Sequence, residues 1–254
     1  MDTRTDERTT AAAADPVSAP ARVLVYLPEG MADWEVGYLM SALRQHDVTE
    51  RAAELTTATA TGQAVVSMGG LTVSPTAALA DIVDERFDAL VLCGGTSWYD
   101  DDDNDNNNND DDNNNDDNNA AANREVLDLA GRCKATGTLV AAICGAVDAL
   151  GRAGLLDDVE HTGNDLGQLE RWPGYRGSAR FVREPHAVSG VTPSGGVLVT
   201  AGSWAPTDFA AAVLAELGAL SATRAATWLR FWRDRDAAAI YELFVAEDSS
   251  AGGR

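Results

Sequence analysis

The chain has 254 residues, 45% of them hydrophobic, and a formal net charge of −21, a size and composition able to bury one sizeable core in a single domain. An acidic surface repels the phosphate backbone and anionic headgroups, so neither nucleic acid nor a membrane is expected as a partner, and no apolar run is long enough to span a bilayer. Ten of the acidic charges fall in one run of Asp and Asn, Asp100 to Asn119, so the rest of the chain carries about half of the net charge.

Residues 1–20 mix both charge signs and lack the apolar middle of a secretion signal, which predicts a disordered tail. From Arg22 to Leu27 a short apolar, β-branched run predicts a buried parallel strand ending at Pro28-Glu29-Gly30. A helix follows from Asp33, with Trp34, Val36, Leu39, Met40 and Leu43 at helical spacing, and Leu55 to Thr61 is a second strand. Gln63 to Val73, punctuated by Gly69-Gly70, predicts a hairpin, and Phe87 to Leu92 another buried strand ending at Gly94-Gly95. Asp100 to Asn119 cannot bury apolar surface and is expected as a disordered insert; it lacks the Gly and terminal Glu of a calcium loop.

Beyond the insert the pattern resumes with a helix over 120–135 and a strand over 136–143 that ends at Cys144. A further helix begins at Ala146, a strand covers 196–200, and a helix runs from Pro206 to Leu217. The alternation predicts an α/β three-layer sandwich around a mostly parallel, doubly wound sheet, with one domain over 21–246 and a flexible tail over 247–254. The stretch from Ala222 to Val245 spaces Trp228, Phe231, Trp232, Ile240, Tyr241 and Phe244 as core or subunit interface, and both alternatives stay open.

Three cysteines, Cys93, Cys133 and Cys144, form no paired metal-ligand spacing, so neither a disulfide framework nor a metal site is expected, and a reducing, cytoplasmic compartment fits. Cys144 stands apart from the other two. It occupies the turn between a buried strand and a helix, where side chains project over the carboxyl end of an open α/β sheet and where a helix N-terminus lowers a thiol pKa. Small neighbours, Gly145 and Ala146, allow a tight elbow.

The run AAICGA around Cys144, preceded by LVLCGG and LPEGMADWE and followed by HTGNDL, YRGSARF and TAGSWAPTDFA, resembles the ThiJ/PfpI (DJ-one-like) superfamily with its flavodoxin-like, class I glutamine amidotransferase-like fold. The resemblance extends from about Val23 to about Asp234. It implies Cys144 as nucleophile, Glu35 as the acid beside its sulfur, and the backbone amides of Gly95 and Gly145 as an oxyanion pocket. His161, which opens HTGND, is the candidate general base, while His46 and His186 are expected at a helix end and in a loop; Cys93 is a packed thiol that could act as a second redox group. Protease-like members carry His where this chain has Gly145, and the late His-x-Glu pair of true amidotransferases is absent from the sequence.

The resemblance therefore implies a cysteine-dependent hydrolase or lyase for a small carbonyl or acyl compound, glyoxalase-, deglycase- or amidase-like, working without a cofactor and commonly as a homodimer. The alternatives are a redox or stress sensor that acts through oxidation of Cys144 and a chaperone-like stress protein.

Overall fold

The structure, a computed structural model, describes residues 19–45, 47–100 and 113–245. His46, residues 101–112 of the Asp/Asn run, and both expected tails, at 1–18 and beyond 245, lie outside the described residues.

In chain order the elements are β1 (Ala21–Tyr26), α1 (Asp33–Arg44), β2 (Ala53–Thr59), the hairpin β3 (Val65–Val66) and β4 (Thr72–Val73), β5 (Ala77–Ala78), α2 (Leu79–Ile82) and β6 (Ala89–Leu92). After a 3-10 turn, Thr96–Tyr99, come α3 (Asn113–Thr136), β7 (Leu139–Ile143), α4 (Gly145–Arg152), α5 (Leu166–Leu169), β8 (Val188–Val191) and β9 (Val197–Ala201). The chain continues through α6 (Pro206–Glu216), α7 (Ala222–Trp232) and α8 (Ala239–Val245).

Seven strands form one sheet in the order β5-β2-β1-β6-β7-β9-β8, parallel throughout except for β8, which runs antiparallel to β9. Successive side chains of β1 enter opposite layers: Val23 and Val25 pack with α1, α6 and α7, whereas Leu24 and Tyr26 pack with α2, α3 and α4. Both faces are thus buried, which is why β1, β6 and β7 read as continuous apolar runs rather than alternating ones. This is the doubly wound α/β sandwich that the alternation of elements predicts. One boundary differs: α3 begins at Asn113, inside the run expected to be irregular. Asn and Asp are favoured where the first N–H groups of a helix lack partners, so the end of such a run can open a helix that later residues anchor.

The aromatic C-terminal stretch divides. Trp228 and Leu243 are buried in the core layer against α1, while Trp232, Tyr241 and Phe244 remain 44%, 70% and 47% exposed. Between α1 and this stretch lies an apolar cavity of about 440 Å³ lined by Tyr38, Trp228, Phe231 and Trp232, which shares no residue with the surroundings of Cys144.

The strand order changes direction at β1 and β6: β2 and β5 extend the sheet to one side, and β7, β9 and β8 to the other. The loops leaving the carboxyl ends of β1 and β6 pass to opposite faces and open a crevice there. That crevice holds the cysteine elbow.

Candidate active site

Cys144 is the single residue between β7 and α4, and its backbone stands at φ 58° and ψ −126°. A non-glycine residue with positive φ carries strain of roughly 1–3 kcal/mol, held here by neighbours that leave it no alternative. Its N–H donates to the Ala201 carbonyl at 3.0 Å, and its own carbonyl accepts from Val147 N–H at 2.9 Å, opening α4. The half-buried thiol is thereby aimed into the crevice.

Glu35 comes from the first turn of α1 and is fully buried. Its Oε2 accepts the Gly94 N–H at 2.9 Å, while Oε1 has no partner in hydrogen-bond geometry. Gly94 is required by close approach. A Cβ there would stand 2.2 Å from Glu35 Oε2 and 2.8 Å from Cys144 Cβ, so the acid and the cysteine flank its bare α-carbon. The loop leading into α1 is fastened to the β6 loop, with Ala32 N–H donating to the Gly94 carbonyl at 2.9 Å and Thr96 N–H to the Gly30 carbonyl at 3.2 Å. These two bonds flank the Met31–Gly95 bridge, so the N–H and C=O of Gly95 both point away from Met31, and its carbonyl lies 3.2 Å from where a Cβ on Gly145 would be. The Gly95 N–H has no partner among the described residues.

On the other side of the sulfur stands Asn164. Its Nδ2 donates to Cys144 Sγ at 3.5 Å, an orientation set by its Oδ1, which accepts Ser203 N–H at 2.8 Å. Asn164 also lines a cleft of about 270 Å³ together with Thr162, Phe181, Arg183, Pro185 and Trp204.

Tyr99, from the 3-10 turn after β6, packs over Gly145, where a Cβ would meet its ring and hydroxyl at 3.3 Å. The hydroxyl donates to Asp148 Oδ2 at 2.5 Å, and Gln168 Nε2 donates to the same carboxylate oxygen at 3.0 Å and to the hydroxyl at 3.2 Å. Asp148 is one turn into α4 and only 2% exposed.

Burial sets the protonation states. It raises Glu35 to about 7, with the Cys144 thiol and the Gly94 N–H pulling partway back. Burial and the Glu35 carboxylate push the Cys144 thiol up to about 11, against lowering by Asn164 and the Gly145 N–H. The lowering expected from the helix N-terminus is thus outweighed: at neutral pH the proton stays on sulfur, while Glu35 is in mid-titration between its neutral and charged forms. Asp148 is raised to about 6 by burial, eased by Tyr99 and Arg152.

Four of the five residues singled out in the sequence converge here: Cys144, Glu35, Gly95 and Gly145. His161 does not join them. It is fully buried with its ring edge-on to Tyr175 and Phe181, and both nitrogens are engaged, Nδ1 with the Val159 carbonyl and Nε2 with Tyr175 Oη, each at 2.8 Å. A carbonyl only accepts, so Nδ1 carries the proton and Nε2 accepts from Tyr175; neither nitrogen is left to take a proton from the thiol. Cys93 is likewise packed, its thiol directed to the Ala32 carbonyl at 3.6 Å, and His186 sits in its loop with Nδ1 3.1 Å from Asp208. Asn164, Tyr99 and Asp148 were not singled out. Asn164 lies inside the HTGND motif, three residues beyond His161, and its side chain reaches the sulfur while that of His161 is turned toward Tyr175 and Phe181.

The model of the DJ-1/PfpI family matches residues 21–108, the part carrying Glu35 and Gly95. A solved DJ-1 superfamily protein of Agrobacterium tumefaciens is 33% identical, with 85% of this chain and 99% of that one covered at a TM-score of 0.67. The chain belongs to the DJ-1/PfpI family. A thiJ/pfpI family protein of Bacillus anthracis has 28% identity, coverage of 89% and 96%, and a TM-score of 0.74. The family relative YoaZ of Bacillus subtilis, named as an uncharacterized protease, is 27% identical over 226 residues, 87% of this chain and 95% of its own. Among the described residues no group of three or more His, Cys, Asp or Glu could hold a metal ion, and no helix is long and apolar enough to cross a membrane.

Proposed function

We propose that this DJ-1/PfpI family member is a cysteine-dependent enzyme acting on a small carbonyl or acyl compound, with Cys144 as nucleophile and Glu35 as its base. The observation that carries the reading is the buried carboxyl of Glu35 set across Gly94 from a thiol on a strained elbow. As the sulfur–carbon bond forms, the thiol proton passes to the Glu35 carboxylate and the carbonyl π pair moves to oxygen. A base titrating near 7 is matched to that transfer at neutral pH. In this reading the N–H groups of Gly95 and Gly145 donate to the developing oxyanion, a role supported by the Gly95 N–H that points away from Met31, and Asn164 orients the sulfur. A cleft of about 270 Å³ favours a small molecule over the peptide that the word protease in the name given to YoaZ would require. A reducing cytoplasm, which keeps the thiol free, belongs to the same reading.

Turnover of methylglyoxal and of small amides and esters, followed in wild type and Cys144→Ser, is the test; activity surviving the substitution would remove the reading. Glu35→Gln adds a sharper contrast. Removing the neighbouring negative charge lowers the thiol pKa, so alkylation by iodoacetamide at fixed mildly alkaline pH is expected to speed up, while turnover falls for want of a base. A substitution that slowed both would deny Glu35 its role.

The unpartnered Glu35 Oε1 favours a second reading, in which peroxide oxidises Cys144 to a sulfinate that a protonated Glu35 hydrogen-bonds. Selective oxidation of Cys144 by peroxide in a protein with no turnover on any of these substrates would favour it over the first.

A further inference from the structure

The reaction proposed above leaves one requirement unmet: the oxygen made anionic by attack of Cys144 needs a proton, and Glu35 lies on the far side of Gly94. Resting on the reading of Cys144 as nucleophile, we propose that Tyr99 is the catalytic acid for that oxygen and that Asp148 is the positioning residue that returns the proton to Tyr99.

Three separate elements meet to build the pair. Tyr99 comes from the turn after β6, Asp148 from α4 four residues beyond Cys144, and Gln168 from α5. The Tyr99 hydroxyl lies 3.3 Å from where a Cβ on Gly145 would stand, beside the amide placed for the oxyanion, so the space a side chain at 145 would fill is occupied by a phenol instead. Behind it the carboxylate of Asp148 is 2.5 Å away, and the Gln168 amide bonds both partners. A carboxyl 2% exposed beside a phenol is costly to keep unless its charge state is used or compensated, and the groups facing it are few. Tyr99 and Gln168 touch it; Arg152 from the next turn of α4 lowers its pKa and Asp165 at the start of α5 raises it; burial first, then Asp148 and after it Cys144, push Tyr99 up, with Gln168 pulling partway back.

When Asp148 carries a proton, the bond to Tyr99 reverses: the carboxyl donates to the phenol oxygen and the phenol hydrogen turns outward. The adduct oxygen then takes the Tyr99 proton while Tyr99 takes that of Asp148. One O–H bond forms on the adduct, and Asp148 is left as a carboxylate accepting from Gln168 until solvent reprotonates it. The site thus needs Glu35 without a proton and Asp148 with one. Because Glu35 titrates near 7 and Asp148 near 6, the two requirements overlap in a narrow window.

The test is kcat/KM for methylglyoxal across pH in wild type, Cys144→Ser, Tyr99→Phe and Asp148→Asn, with thermal unfolding to confirm that each variant folds. Wild type is expected to show a bell with its maximum between about 6 and 7. Asp148→Asn is expected to lose the decline on the alkaline side and at least about tenfold in kcat with little change in KM, and Tyr99→Phe, which keeps the ring over Gly145, to lose at least about tenfold throughout. If Asp148→Asn does not fold, Tyr99→Phe decides alone. Both folded variants keeping the wild-type rate and bell, with Cys144→Ser inactive, would overturn the relay and leave the nucleophile standing. Wild type without turnover of methylglyoxal or of the small amides and esters, or Cys144→Ser as active as wild type, would overturn both.

Discussion

Glu35 shows how a single buried carboxyl ties function to stability. Its folded pKa of about 7 lies above the ordinary 4.5, so between those values the folded protein holds a proton that the unfolded chain has released. Stability is therefore greatest below about 4.5 and is lost as pH rises through about 7, by up to about 3 kcal/mol for this group. Glu35→Gln is expected to flatten that fall, read as urea midpoints at about pH 5 and about pH 8; an unchanged difference between the two would mean that Glu35 titrates normally. Gly94→Ala makes the complementary prediction. Its methyl would press on Glu35 Oε2 and Cys144 Cβ, costing about 1–3 kcal/mol in denaturant unfolding and changing the alkylation rate of Cys144. At this scale the sequence was most legible where chain position alone determines the environment. Cys144 sits at a strand end followed by small residues, and Glu35 sits two residues into a helix. Tyr99 and Asp148 were hidden because their cluster with Gln168 spans three elements, and nothing local marks a phenol and an acid 49 positions apart as neighbours.

Among the elements, long apolar strands announced themselves, whereas β5, with two residues, and β8, with residues 188, 189 and 191 outside the core, bear no pattern that distinguishes them from loop. The HTGND segment sends two of its polar side chains to different places: Asn164, at a bend, reaches the sulfur, while His161 is sealed among Tyr175, Phe181 and the Val159 carbonyl. Tyr175→Phe is expected to destabilise the protein by about 1–3 kcal/mol, since it leaves a buried imidazole nitrogen without its donor, and to leave turnover within about twofold. Loss of turnover at full stability would return His161 to the reaction. The start of α3 at Asn113 was missed for a different reason. Asp and Asn have low helix propensity in general yet are favoured at a helix start, and only the packing of Val126, Leu129 and Ala130 against the sheet decides which applies.

For the whole molecule, the doubly wound order places Glu35, Gly95, Tyr99, Cys144 and Asp148 just beyond the carboxyl ends of β1, β6 and β7, and Asn164 and Gln168 join them from the segment after α4. The turn that carries Tyr99 is pinned from three directions: Trp98 Nε1 donates to the Cys93 carbonyl at 2.8 Å, Asn123 Nδ2 to the Ser97 carbonyl at 2.7 Å, and Arg152 Nη2 to the Trp98 carbonyl at 3.1 Å. Asn123 belongs to α3, beyond the Asp/Asn run, so both ends of that run are anchored on the same few residues. Deleting 101–112 is therefore expected to leave the alkylation rate of Cys144 unchanged; a marked change would show that the run bears on the site. Because the turn is held from its own side by Cys93, Asn123 and Arg152, the run between Asp100 and Asn113 is a natural port for grafting a tag or a second domain.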